Sequence, residues 1–180
     1  MQIKKRTTIK ILFFLLVAII AFTGCGRNNI KFDFAEVIDG ENLDDITLTV
    51  YYMHFWSLTP IPVTLESLID GWYNYKTVIF GSELKEHFNL LKKINNDTLI
   101  PARAWERSFG TNIRIYYVLE SSVNGKLLDV VMWGRNGNVI FNGREVKMNP
   151  IFYDMVIPFL PGYIVAHMER WRDELASDSN

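Results

Sequence analysis

Two short runs carry the side chains best suited to recognition. Tyr51, His54, Phe55 and Trp56 close an alternating apolar segment, and Arg103, Trp105, Glu106 and Arg107 make the compact run Arg-Ala-Trp-Glu-Arg. Indole, phenol and guanidinium groups offer large surface with a polar edge, and they dominate binding hot spots. Tyr51, His54, Trp56, Arg103, Trp105 and Arg107 are therefore the candidate binding residues. Groups for catalysis are less organised. The three histidines, His54, His87 and His167, fall on a strand end and on two different helices. No two have the i, i+4 spacing that puts a pair of metal ligands on one helix face. Glu83 and His87 have it, but a solvated side-chain pair accounts for them. No serine occupies a Gly-x-Ser-x-Gly elbow, and no glycine-rich loop leads into a helix with a phosphate-binding lysine. Glu66, Glu106, Glu120, Asp129 and Asp154 supply carboxylates, with no spacing that pairs them as glycosidase catalysis requires. Asp39-Gly40-Glu41-Asn42 lacks the twelve-residue calcium-loop pattern. The expectation is no catalytic set, no metal site and no cofactor.

The N-terminal segment gives an address. Lys4, Lys5, Arg6 and Lys10 precede residues 11–22, which hold no charged or polar side chain. A cationic start, an apolar stretch of roughly a dozen residues and a small residue before a cut are the parts of a secretory signal. The stretch falls short of the ~20 apolar residues that a membrane-spanning helix needs. Phe22-Thr23-Gly24-Cys25 resembles the lipobox of bacterial lipoproteins. That resemblance implies cleavage after residue 24, lipid on Cys25 and a position on the extracytoplasmic face of the cell membrane. Two acyl chains hold a protein stably where one does not. Cys25 is the single cysteine, so its acylation would leave no thiol for disulfides, catalysis or metal binding.

Charge narrows the partners. The chain has 19 Lys+Arg and 20 Asp+Glu, and loss of residues 1–24 removes four cations, leaving 15 against 20 and a net of −5. Nucleic acid calls for a basic surface, so it is not an expected partner.

The elements that must position these groups follow from periodicity. Residues 25–45 combine the lipidated Cys with an acidic stretch (Asp33, Glu36, Asp39, Glu41, Asp44, Asp45), which composition assigns to a tether. A folded domain is expected over 46–175, with a polar tail at 176–180. Residues 46–53 alternate as a strand, Thr64 caps a short helix ending near Gly71, and residues 73–80 form a second strand. Ser82 is expected to cap a helix over 83–94 with the buried stripe Leu84, Phe88, Leu91 and Ile94. Three Asn-Gly pairs, at 124–125, 136–137 and 142–143, predict tight hairpin turns. They separate strand-like runs at 113–120, 127–133, 139–141 and 145–148, and a short strand near 98–102 is a candidate to join them. Asn149-Pro150 opens a helix that breaks near Pro158 and Pro161, and a last helix covers 163–175 with Ile164, Met168, Trp171 and Leu175 inward. The fold class is α+β: one domain, a mostly antiparallel meander sheet with helices packed on one face.

Ser57-Leu58-Thr59, the segment from Leu68 through Gly71-Trp72-Tyr73, Val131-Met132-Trp133-Gly134, and Phe152-Tyr153-Asp154 followed by Pro158-Phe159-Leu160-Pro161 are the stretches in which residues 46–161 resemble a family of small uncharacterised lipoproteins of Gram-positive bacteria. The resemblance implies export and one compact domain, and carries no activity or catalytic residue. The expected function is a membrane-anchored, non-catalytic binding module for an envelope protein or glycan. The alternative is a lipid-anchored hydrolase acting on cell-wall or peptide material.

Overall fold

The computed structural model describes residues 33–102, 112–133 and 138–177, the side chains through Asp173. Cys25, Arg103, Trp105, Arg107 and the Asn136-Gly137 pair lie outside the described residues. The described part is an α+β domain built on one six-stranded antiparallel sheet. In chain order the elements are α1 (Phe34–Asp39), β1 (Ile46–Tyr52), α2 (Leu65–Ser67), β2 (Tyr75–Phe80), α3 (Gly81–Leu84), α4 (Phe88–Leu91), β3 (Ile113–Ser121), β4 (Gly125–Trp133), β5 (Asn138–Phe141), β6 (Arg144–Lys147), α5 (Ile151–Asp154) and α6 (Gly162–Ser177). The strand order is β2-β1-β3-β4-β5-β6. From β3 onward the sheet is a meander, as the hairpin signals predict.

Alternation in the strands separates two buried surfaces. Ile46, Leu48, Val50 and Tyr52 of β1, with Ile115, Tyr117 and Leu119 of β3 and Leu128, Val130 and Met132 of β4, face the main core. Phe34, Ile38, Leu84, Leu91, Phe152, Ile164, Met168 and Trp171 from the helices close over them. Each such large apolar side chain contributes roughly 1.5–3 kcal/mol when removed from water. Tyr51, Met53, Tyr116, Val118, Val131 and Trp133 face the other way and pack with Val63 and Leu68. So most helices cover one face, while α2 and the π-helical turn Leu68–Trp72 that continues it lie against the opposite one.

Local signals hold where the chemistry is local. Thr64 caps α2 in a reciprocal pair with Ser67. Asn142 (φ 45°) and Gly143 (φ 74°) both take positive φ, which the two-residue turn between paired Phe141 and Arg144 demands. At the β3–β4 hairpin, Ser121 pairs with Gly125, leaving a three-residue loop in which the Ser121 hydroxyl accepts from the Val123 and Asn124 amides. Asn149 Oδ1 accepts from the Ile151 amide at 3.1 Å and opens α5. The stretch 98–102 reaches β6 through a bridge between Pro101 and Val146.

Two expectations are corrected. The acidic tether is not a tether from Asp33 onward. Phe34 and Ile38 are buried in the main core, Asp33 caps α1, and Ser122 and Asn124 donate to Asp45 and Glu41. The 3-10 turn Leu43–Asp45 presses so closely on the start of α3 that a Cβ on Gly81 would lie 1.5 Å from the Leu43 carbonyl oxygen. The fold thus begins upstream of residue 46. The expected helix over 83–94 is instead α3, a 3-10 turn at Lys85–His87 and α4. Ser82 does not cap it, because α3 starts directly from β2 at Gly81, with Phe80 in the cap position and no side-chain cap.

Candidate functional site

Beyond Tyr52 the chain leaves β1 through a turn closed by the Ser57 amide donating to the His54 carbonyl at 3.0 Å. The His54 amide donates to Asn74 Oδ1 at 2.8 Å, which ties the turn to the approach to β2. This turn presents His54, Phe55 and Trp56 to one stripe of α6. Tyr163, His167 and Trp171 recur every four residues along that stripe.

The result is a connected set of rings. His54 and His167 meet edge to face with centroids 4.3 Å apart. Trp56 stands edge-on to His167 at 5.9 Å and to Trp171 at 5.7 Å. Phe55 stacks on Trp171 at 5.1 Å, and Tyr52 meets Phe55 at 6.0 Å. The Arg170 guanidinium lies 5.2 Å from the centre of the Trp56 ring, a cation–π contact. Trp56 remains 38% exposed and Tyr163 62% exposed, so the cluster has a solvent edge.

The same turn is bound by a buried cation. In β3 the pairing runs Ile113 to Trp133 and then Ile115 to Met132, which makes Arg114 the extra residue of a β-bulge. A bulge re-aims a side chain out of the strand's alternation. Arg114 is 6% exposed. Its Nη2 donates to the Ser57 carbonyl at 3.1 Å and its Nη1 to the Met53 sulfur at 3.1 Å, while Nε has no partner. Among the described residues no carboxylate pairs with it. Burial lowers the guanidinium's affinity for its proton, offset in part by Tyr52.

The charge is felt at its neighbours. Burial pushes the Tyr52 phenol up to about 12, Tyr163 adds to the rise, and Arg114 opposes it. His54 is held below the ordinary histidine value by burial, then by His167 and Arg114. The Trp56 amide donates to His54 Nδ1 at 3.3 Å, so the proton of the neutral ring sits on Nε2. Four buried polar atoms of this corner lack a partner: Tyr52 Oη, Arg114 Nε, His167 Nδ1 and Trp171 Nε1. Arg114 Nε and Trp171 Nε1 can only donate.

Of the residues singled out from sequence, His54 and Trp56 are brought together here. Tyr51 is not. It lies on the opposite face of the sheet, stacked on Tyr116 at 5.8 Å and edge-on to Tyr73 at 5.6 Å, because neighbouring strand residues point to opposite faces. His87 packs against Phe159 at 5.1 Å, away from the other two histidines. No group of three or more His, Cys, Asp or Glu among the described residues is arranged to hold a metal ion. Sequence reasoning missed His167, Trp171, Tyr163 and Arg114. The spacing of 163, 167 and 171 was a readable signal for a shared stripe; the bulge at Arg114 had none. Comparisons with protein-family models, curated proteins and solved structures give no match. No helix among the described residues is long and apolar enough to cross a membrane.

Proposed function

We propose that the protein is a lipid-anchored, extracytoplasmic binding module of the family of small lipoproteins it resembles, and that the corner around Trp56 recognises an envelope protein or glycan. The anchor reading rests on the cationic, apolar leader and on Phe22-Thr23-Gly24-Cys25. The binding reading is carried by one observation: a partly exposed indole framed by His54, His167, Arg170 and Trp171, on a turn whose Ser57 carbonyl accepts from a buried guanidinium that no described acid neutralises. Anchors of this kind, aromatic and Arg side chains held rigidly by neighbours, carry most of the energy at recognition sites. A buried guanidinium without a counter-charge among the described residues costs stability unless a charge is supplied to it, and a partner carrying an anionic group would supply it.

Two measurements test this reading. Mass spectrometry of the protein expressed in a bacterium should find acyl chains on Cys25 and loss of residues 1–24, and Cys25→Ser should leave the membrane fraction. An intact Met1 with a free thiol overturns the anchor. Co-sedimentation of the full chain with purified cell-wall sacculi or envelope proteins should weaken at least tenfold in Trp56→Ala. Equal retention of the variant, or no retention of wild type, overturns the site.

A further inference from the structure

We infer that the Trp56 corner recognises a carboxylated sugar, its carboxylate reaching the Arg114 guanidinium and its ring lying against Trp56. The inference rests on the binding reading above and names the class of ligand. It starts from the distribution of unsatisfied groups. Seven buried side-chain polar atoms among the described residues lack a partner, and four of them belong to this one corner. Tyr52, Arg114 and Trp171 are each more than nine-tenths buried. Native interiors satisfy nearly all such groups with protein, ordered water or a bound group, so a local concentration of orphans marks a place whose partners come from outside the described side chains.

The chemistry of the orphans gives the sign of the missing group. Arg114 has five N–H donors, of which one reaches a carbonyl and one a thioether. The thioether is a weak acceptor, and Nε is idle. Trp171 Nε1 is a donor, Tyr52 Oη can donate, and the histidine pair adds His54 Nε2–H. A donor-rich site built on a guanidinium that no described acid compensates calls for an oxyanion, and the planar fork of Arg matches a carboxylate in two parallel bonds. Arg114 sits close enough to both Tyr52 and His54 to bias their protonation, so one small anion would be felt by all three.

The rest of the corner speaks for a ring rather than a peptide. Trp56 and Tyr163 offer exposed aromatic surface, on which the C–H face of a pyranose packs. A bound acidic strand would need a row of free backbone groups. The loop that leaves the site runs Leu58-Thr59-Pro60-Ile61-Pro62, and its two prolines have no amide hydrogen to offer.

The test is thermal unfolding of the full chain in detergent micelles, at constant ionic strength, against glucuronate, glucose, acetate and a glutamate-rich peptide. A ligand that binds only the folded state raises the midpoint with its concentration. Glucuronate should do so, and glucose and acetate at least tenfold less effectively. Arg114→Met should unfold no earlier than wild type without ligand, since it removes a buried charge that no described acid pairs, and should lose the response to glucuronate. Should Arg114→Met fail to fold, Trp56→Ala decides, with an expected loss of at least tenfold in apparent affinity. The inference is overturned by a wild type indifferent to glucuronate, by acetate or the peptide matching it, by an undiminished response in folded Arg114→Met, or, where that variant does not fold, by an undiminished response in Trp56→Ala. If sacculi retain the chain through Trp56 while glucuronate and Arg114 have no effect, the binding reading stands and the sugar-acid assignment fails. If nothing is retained, the binding reading itself has failed.

Discussion

Tyr117 and Tyr52 stand on neighbouring strands, face the same core and are both sealed from water, yet their hydroxyls are treated differently. Tyr117 Oη donates to the Phe152 carbonyl at 2.9 Å, in the middle of the layer that the helices close. Tyr52 Oη, toward the Arg114 corner, has no partner. A buried polar group without a partner costs about 1–3 kcal/mol. At Tyr117 the core is therefore satisfied, whereas the corner beside Tyr52 gathers four unpartnered polar atoms at the expense of stability. On the binding reading proposed above, a ligand would complete that corner.

The contrast can be broken by mutation, and the largest effect is expected at the centre. Phe152→Ala should cost about 3–5 kcal/mol in urea unfolding, and Trp56→Ala about 1 kcal/mol or less. Equal losses would mean that the corner is ordinary core. Next in size, Tyr117→Phe should cost about 1–2 kcal/mol, because the Phe152 carbonyl loses its donor in a buried place. Tyr52→Phe should be neutral or slightly stabilising by the same measurement. A loss at Tyr52 equal to that at Tyr117 would show that its hydroxyl is satisfied in solution.

Two pH effects sharpen the comparison further. Burial raises Tyr52, Tyr116 and Tyr153 to about 12 and Tyr117 well above its ordinary value of 10. The folded chain keeps phenolic protons that the unfolded chain releases near pH 10. The folded state then binds more protons, so stability falls as pH rises between about 10 and 12. Alkaline unfolding followed by circular dichroism should show that fall, made shallower by Tyr52→Phe. The smallest effect is at His54, whose folded-state value lies below the ordinary 6.5. Its contribution is fully present above pH 6.5 and is lost as pH drops below it, because the unfolded chain takes up the proton first. His54→Gln should flatten the slope of stability between pH 5 and 6.5, and an unchanged slope would place its titration elsewhere.

The parts legible in the sequence are those decided within a few residues. Alternation fixes which side of β1 faces the core, and Asn142-Gly143 or Thr64 act through their own backbone. The acidic stretch misleads because charge composition outweighs a real helical signal, Phe34 and Ile38 four apart on one face. The site is illegible for a different reason. Regular alternation across 113–120 gives Arg114 the wrong aim, since the bulge arises from pairing with β4 rather than from any residue of β3. His54 and His167 meet only because α6 docks against the end of β1, a long-range event without a local trace.

The burial of Phe34 would limit how far the domain reaches from the proposed anchor. With Cys25 acylated as proposed, eight residues, 25–32, separate the lipid from Asp33, where the described fold begins. Covalent geometry limits eight residues to about 28 Å at full stretch, where a leash running to residue 46 would reach more than twice as far. On that reading the described fold would begin within about 28 Å of the lipid, and a ligand lodged farther out in the wall would have to come to it.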